Sequence, residues 1–194
     1  KCGIGFLFAP LMHSAMKYAI GPRREIGART VFNILGPLCN PAGTQNQVIG
    51  VYDDSLTEPL ANVLAKLGSR HVMVVHGHDG LDEITLTDTT RISELKDGKV
   101  KTYTLDPRDL GFSLCKPEDL KGGEAPENAE ITLRILKGED KGPKRDTAVI
   151  NAAAAIITGG KVGDMKAGIK AAQESIDGGE ALKRLEDLKT ICAS

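Results

Sequence analysis

Two β-rich runs joined through one amphipathic helix constrain this chain more than any other feature of it. Gln45–Tyr52 reads as a strand, and His71–His76 (His-Val-Met-Val-Val-His) as a second, apolar enough to be buried on both faces. Between them Ser55 is the predicted helix N-cap, with Glu58 three residues on in a capping-box arrangement. Leu56, Leu60, Val63, Leu64 and Leu67 form the predicted buried face of that helix, and Gly68 ends it. Strand, helix and strand with connections this short make a βαβ unit, whose strands pair in parallel through a right-handed crossover. The fold class that follows is α/β, a central, largely parallel sheet flanked by helices.

The other segments fit that frame. Residues 10–20 read as a helix opening at Pro10, a favoured first-turn residue, with Leu11, Met12, Ala15, Met16 and Ala19 on one stripe. His13 and Lys17 lie four apart on a neighbouring face, so that side of the helix can present polar groups to a cavity. Thr85–Leu105 is expected to fold as a hairpin about Asp97-Gly98, and Pro107–Pro126, rich in Gly, Pro and charge, to be irregular. Closing helices are predicted from about Asp146 to Gly159-Gly160, from Asp164 to near Gly178-Gly179, and through Leu182, Leu185, Leu188 and Ile191. Residues 1–194 are therefore read as a single α/β domain. With aromatics at 4% and no Trp, Leu, Ile, Val and Ala must fill its core, which suits helices packed on a sheet.

Charge and cysteine usage narrow the function classes. A net charge of -1 provides no global field for nucleic acid or an acidic membrane, so those partners are not expected. A local basic pocket for one small phosphate compound remains compatible with it. No apolar run is long enough to span a bilayer. Cys2, Cys39, Cys115 and Cys192 form no C-x-x-C pair, which favours free thiols in a reducing cytoplasm over a zinc knuckle or a disulfide framework.

Two constellations carry candidate chemistry. The first runs from Arg23 to Pro41, where Gly36-Pro37 and Asn40-Pro41 mark tight turns and Arg23 and Arg29 supply planar forks for carboxylate or phosphate. For Arg29 the structural role, tying a loop down through backbone carbonyls, is the favoured reading; Arg23 is the better ligand candidate. The second is His76-Gly77-His78-Asp79-Gly80-Leu81-Asp82-Glu83, leaving the carboxyl end of a parallel strand, where open α/β sheets bind ligands. Gly77 and Gly80 are expected to allow close backbone approach. Asp82 and Glu83 place two acids side by side, and a magnesium ion sharing substrate phosphates relieves their repulsion; a solvated pair is the bland alternative. His76 and His78 lack the further ligands that a zinc site needs. Gly159-Gly160-Lys161 follows a helix rather than a strand, so a C-cap is expected there and not a phosphate loop.

Taken together, F-L-F-A-P-x-x-H, then R-x-x-I-G-x-R-T-x-F-N-x-L-G-P-L-x-N-P-A, then G-x-D-E-I resemble the anthranilate phosphoribosyltransferase family, as does the stretch from Arg145 through N-A-A-A-A-I-I-T-G-G-K. The resemblance implies transfer of a phosphoribosyl group from phosphoribosyl pyrophosphate to the amine of anthranilate in tryptophan biosynthesis, with Mg2+ as cofactor. It implies a nucleoside-phosphorylase-like α/β catalytic domain accompanied by a small amino-terminal helical domain through which homodimers form. By the same likeness Arg23 grips the anthranilate carboxylate, His13 lines the aromatic substrate's channel, Gly36-Pro37 forms a turn along it, and Asp82 and Glu83 hold magnesium.

The chain departs from that family in lacking its glycine-rich G-T-G-G-D loop and its K-H-G-N segment. It also opens on an apolar run, Ile4–Phe8, of the kind that continues a buried element. The expectation is a carboxy-terminal portion with little or no transferase activity by itself, and with apolar surface exposed around Ile4–Phe8. A nucleoside phosphorylase of the same fold, or a non-catalytic remnant binding small aromatics or nothing, remains open on the residues alone.

Overall fold

A computed structural model describes residues 2–7, 36, 38, 40 and 42–193. The predicted helix over residues 10–20 and the candidate residues His13, Arg23, Arg29 and Pro37 lie outside them. Two compact units are present, Lys1–Thr44 and Gln45–Ser194. In the first, Ile4 and Phe6 are exposed and Cys2 is buried, its Sγ donating to the Ile4 carbonyl at 3.2 Å. The expected turn at Asn40 is present: Asn40 Oδ1 accepts from Ala42 N at 2.9 Å and its carbonyl from Gly43 N at 3.0 Å.

The second unit is built on a four-stranded sheet of β1 (Asn46–Gly50), β2 (His71–Gly77), β3 (Thr90–Lys96) and β4 (Lys99–Leu105), in that spatial order. β1 and β2 run parallel with Asn46 opposite His71, as the βαβ unit requires, and α1 (Thr57–Lys66) is the crossover. The described sheet is nonetheless mixed, because β3 pairs antiparallel with β2, and β4 with β3. The β3–β4 turn is the expected Asp97-Gly98, both at positive φ (51 and 73), the combination that matches the twist of flanking strands.

The start of α1 differs from the capping-box expectation. Asp53 caps a 3₁₀ turn over Asp54–Leu56, its Oδ1 accepting from Ser55 N at 3.0 Å and from Ser55 Oγ at 2.6 Å, and α1 follows with Leu56 as an N-cap that makes no side-chain bond. A carboxylate is the stronger acceptor, so the Ser55 hydroxyl is spent as a donor to it. The buried face of α1 is Thr57, Leu60, Ala61 and Leu64, while Val63 is 40% and Leu67 62% exposed, because the sheet covers a narrower stripe than the predicted one.

Among the described residues a 3₁₀ turn over Pro107–Leu110, the one-turn α2 (Pro117–Leu120) and four longer helices follow: α3 (Ala125–Leu136), α4 (Pro143–Thr158), α5 (Met165–Asp177) and α6 (Glu180–Ala193). The Pro107–Pro126 segment is thus less irregular than expected, and α3 is an element that the sequence reading does not contain. Proline reads there as a breaker, whereas Pro126 and Pro143 sit in the first turns of α3 and α4, where the missing N–H has no intrahelical partner to lose. Asp164 caps α5 as expected, accepting from Ala167 N at 2.9 Å, and Gly159 is the C-cap of α4.

α4 is the central helix. Its Ile150, Ala154 and Ile157 pack with Met73, Val75, Ile84 and Ile92 on one face of the sheet, and its Val149 and Ala153 pack with Ile169, Ala172 and Ile176 of α5. Side chains alternate along a strand, so Val72 and Val74 point to the other face, against which α1 lies. Buried Arg145 anchors the start of α4 through Nη2, 3.0 Å from both Asp177 carboxylate oxygens at the end of α5. Among the described residues Cys115 and Cys192 are free thiols, and no helix is long and apolar enough to cross a membrane.

Candidate functional site

The parallel pair β1–β2 ends beside the loop that carries both predicted acids. Val51 N donates to the Val75 carbonyl at 3.0 Å, extending the pairing one residue past β1. His76 is buried, with Nδ1 2.7 Å from the Val51 carbonyl, and His78 Nδ1 lies 2.7 Å from Thr89 Oγ1. Both imidazoles therefore serve to brace the loop.

The loop from His78 to Glu83 folds around Asp79. Its Oδ1 accepts from Leu81 N at 3.1 Å, and its Oδ2 accepts from Thr85 Oγ1 at 2.6 Å and from the Thr87 hydroxyl. Backbone bonds close the same turn, Gly77 N to the Leu81 carbonyl and Gly80 N to the Gly77 carbonyl, each at 2.8 Å. A Cβ on Gly77 would collide with Asp79, whereas one on Gly80 would meet nothing, so close approach belongs to the first glycine and the turn (φ +94) to the second. Partial burial pushes the Asp79 carboxyl up, but the hydroxyl and backbone donors around it outweigh that and hold it below its ordinary value.

That direction has a measurable consequence. A carboxyl with a lowered native pKa stabilises fully above its unfolded value of 3.8, and the contribution is lost as pH falls through the native value. Asp79→Asn, which forfeits the acceptor facing both threonines, should destabilise by about 1 kcal/mol at neutral pH. The gap in melting temperature from the parent should close as the buffer is taken from about pH 6 to about pH 3. A gap independent of pH would show that the carboxylate is not what anchors the loop.

Asp82 and Glu83 emerge from this turn side by side and exposed. Desolvation first, and the adjacent Asp82 carboxylate second, push the Glu83 carboxyl above its ordinary value. The next residue, Ile84, is fully buried in the α4–sheet core, and its backbone is held by Asn151 of α4. On the other side Gly50, the last residue of β1, lies so close that a Cβ would overlap the Asp82 carbonyl oxygen. The backbone of the acidic pair is thus fixed between two strands' ends and a helix, and its freedom is confined to the side chains.

Two grooves open beside it. One of about 420 Å³ is lined by Asp79, Leu81, Thr87, Pro117, Leu120 and Lys121. The other, of about 390 Å³, shares Leu81 and Leu120 and adds Glu83, Asn128, Lys144 and Thr147. No group of three or more metal-capable His, Cys, Asp or Glu side chains occurs among the described residues. The donor set is therefore two adjacent carboxylates, too few for a dedicated protein cage but matched to an ion that completes its shell with substrate oxygens and water.

Of the residues singled out by sequence, Asp82 and Glu83 come together at the carboxyl end of the parallel pair. Gly36, expected in a tight turn, is helical and exposed within the first unit; His13, Arg23 and Pro37 lie outside the described residues. The sequence reading passes over Asp79 and Asn151. Asp79 carries a signal in its Asp-Gly dipeptide, since Asp side chains bond backbone two residues on; Asn151 opens the N-A-A-A-A-I-I-T-G-G-K stretch of the family resemblance, but no local rule gives it a partner.

The chain is similar in sequence and fold to known proteins. The Glycosyl transferase family, a/b domain, matches residues 1–182. The anthranilate phosphoribosyltransferase of Thermoanaerobacter sp. (strain X514) is 59% identical over 186 residues, 96% of this chain and 55% of that protein. The protein of the same name from Desulfosudis oleivorans is 54% identical over 188 residues, 97% of this chain and 56% of that protein. Among solved structures, anthranilate phosphoribosyltransferase from Thermus thermophilus superposes with a TM-score of 0.88 at 42% identity, covering 96% of this chain and 55% of that one. The Saccharomyces cerevisiae enzyme in complex with PRPP and Mg gives 0.85 at 33% identity, covering 93% and 52%. The chain spans about half the length of the curated relatives it matches.

Proposed function

We propose a function on the footing that the chain belongs to the Glycosyl transferase family, a/b domain. The protein transfers a phosphoribosyl group from phosphoribosyl pyrophosphate to the amine of anthranilate, releasing pyrophosphate. The observation that carries this reading is the backbone-fixed Asp82–Glu83 pair at the carboxyl end of β2, beside open grooves. It is supported by relatives named for the reaction and by a structural neighbour solved with PRPP and Mg. One family match across residues 1–182 supports treating the chain as one α/β catalytic domain.

The donor set fits magnesium shared with a diphosphate, and Asp82 and Glu83 are the residues that would hold it. When bound, the ion supplies neutralisation of charge on the departing diphosphate. Desolvation first and the adjacent Asp82 charge second raise the Glu83 carboxyl, and a nearby cation would offset both. Anthranilate's amine is already nucleophilic, so no strong base is required to begin the attack. What the chain must add is positioning. We assign Arg23 to the anthranilate carboxylate, and His13 with Gly36 and Pro37 to the channel along which the ring enters.

The test is loss of anthranilate fluorescence in the presence of phosphoribosyl pyrophosphate and magnesium, using the protein at its full encoded length. Arg23→Ala should raise KM for anthranilate roughly 10- to 100-fold, the worth of a charge-assisted bidentate pair, with a smaller change in kcat. An unchanged KM would remove Arg23 from the substrate site. Absence of any magnesium-dependent signal would remove the proposed reaction.

A further inference from the structure

We infer that Asn151 is a positioning residue for the Asp82–Glu83 pair, acting through the backbone of Ile84. The inference rests on the magnesium reading above and goes beyond it by naming what fixes the ligands. Asn151 sits on α4, 67 positions away in sequence, and meets both backbone polar groups of Ile84. Its Oδ1 accepts from Ile84 N at 2.9 Å, and its Nδ2 donates to the Ile84 carbonyl at 2.8 Å. The same Nδ2 donates to the Thr147 carbonyl one turn back, at 3.0 Å, which fixes the amide's orientation. Ile84 belongs to no strand, so Asn151 gives it the two hydrogen bonds that a neighbouring strand would otherwise give.

Position makes that clamp matter to the site. Ile84 follows Glu83 directly, and its side chain is fully buried in the cluster with Ile150 and Ala154 of the same helix. The residue after the acidic pair is thereby locked to α4 by backbone and by side chain. On the opposite side, Asp79 closes the turn that precedes the pair. With Asn151 gone, Ile84's N–H and C=O lose their partners, and the backbone is free to rotate toward water. The backbone that carries both carboxylates would then lose its anchor to α4, leaving the close approach of Gly50 on the other side. Outer partners of this kind typically govern metal affinity by roughly 10- to 100-fold.

The experiment measures metal binding directly, with the protein at its full encoded length and Mn2+ plus inorganic pyrophosphate followed by electron paramagnetic resonance. Asn151→Ala should weaken Mn2+ binding about tenfold or more. Asn151→Leu keeps the side-chain volume without the hydrogen bonds; it should do the same, and it carries the test if the alanine variant does not fold. Val149→Ala lies on the same helix but faces α5, so it should lower the melting temperature and leave Mn2+ affinity unchanged. Asn151 variants that lose stability as Val149→Ala does, yet bind Mn2+ like the parent, would make the residue merely structural and overturn the inference. Asp82→Asn separates the remaining case: if it too binds Mn2+ like the parent, the magnesium reading itself fails, and the role of Asn151 falls with it.

Discussion

Replacing both acids, Asp82→Asn with Glu83→Gln, should reduce kcat/KM for phosphoribosyl pyrophosphate by at least about 100-fold, or roughly 2.7 kcal/mol of transition-state stabilisation. The expected size follows from the charge that develops on a departing diphosphate, whose metal ion neutral amides bind weakly. Stability should not fall with activity. Both side chains are exposed, and desolvation and the neighbouring charge raise the Glu83 carboxyl above its ordinary value, so removing the repulsion leaves the melting temperature equal or slightly higher. Steady-state assays across a magnesium titration, paired with thermal melts, separate the two effects. Retention of parental activity at low magnesium would show that the pair is only a solvated turn, and the proposed reaction would lose its main structural support.

Gly50→Ala should be the most damaging single methyl addition in the second unit. The new Cβ would overlap a backbone atom, the Asp82 carbonyl oxygen, and would also sit 3.0 Å from the Asp82 Cβ. A flexible side chain could swing aside; a carbonyl held between β1 and the clamped Ile84 cannot. Forced insertion of this kind costs about 2 kcal/mol, enough to lower the melting temperature by several degrees. Because the atom displaced belongs to Asp82 itself, magnesium affinity should weaken in the same variant. Ala at Gly98, in the distant β3–β4 turn, offers the comparison: φ there is +73 with open space around it, so stability should drop while magnesium dependence stays parental. Equal metal affinity in Gly50→Ala and the parent would mean that the close packing at β1 serves the sheet alone.

The errors of the sequence reading share a physical origin. The capping-box pattern points to Ser55 over Asp53, although either polar residue can cap; only the fold shows the Asp53 carboxylate taking the Ser55 N–H and hydroxyl together. Pro126 reads as part of an irregular segment when it sits in the first turn of a helix. A proline signal is ambiguous between stopping one element and starting the next, and the distinction depends on whether the following residues find a surface to bury against. For α3 that surface is made by distant segments, since Ile135 packs partly against the cluster of α4 and α5.

What the sequence determined by itself is whatever depends on neighbours within a few residues. The parallel β1–β2 pair follows from a strand–helix–strand run with short connections, and the β3–β4 hairpin from Asp97-Gly98 at the positive φ its turn demands. The location of Asp82 and Glu83 after a parallel strand follows from the same local order. Only the tertiary structure decided how that pair is held. Gly50 meets Asp82 and Asn151 meets Ile84 across stretches of chain whose spacing obeys no helical or strand period. The antiparallel placement of β3 beside β2 is likewise a choice among sheet edges that no short window encodes. Periodicity and turn chemistry are local, whereas the exclusion of a methyl group at one strand's end and the pairing of one buried residue's backbone are set by which surfaces the collapsed chain brings together.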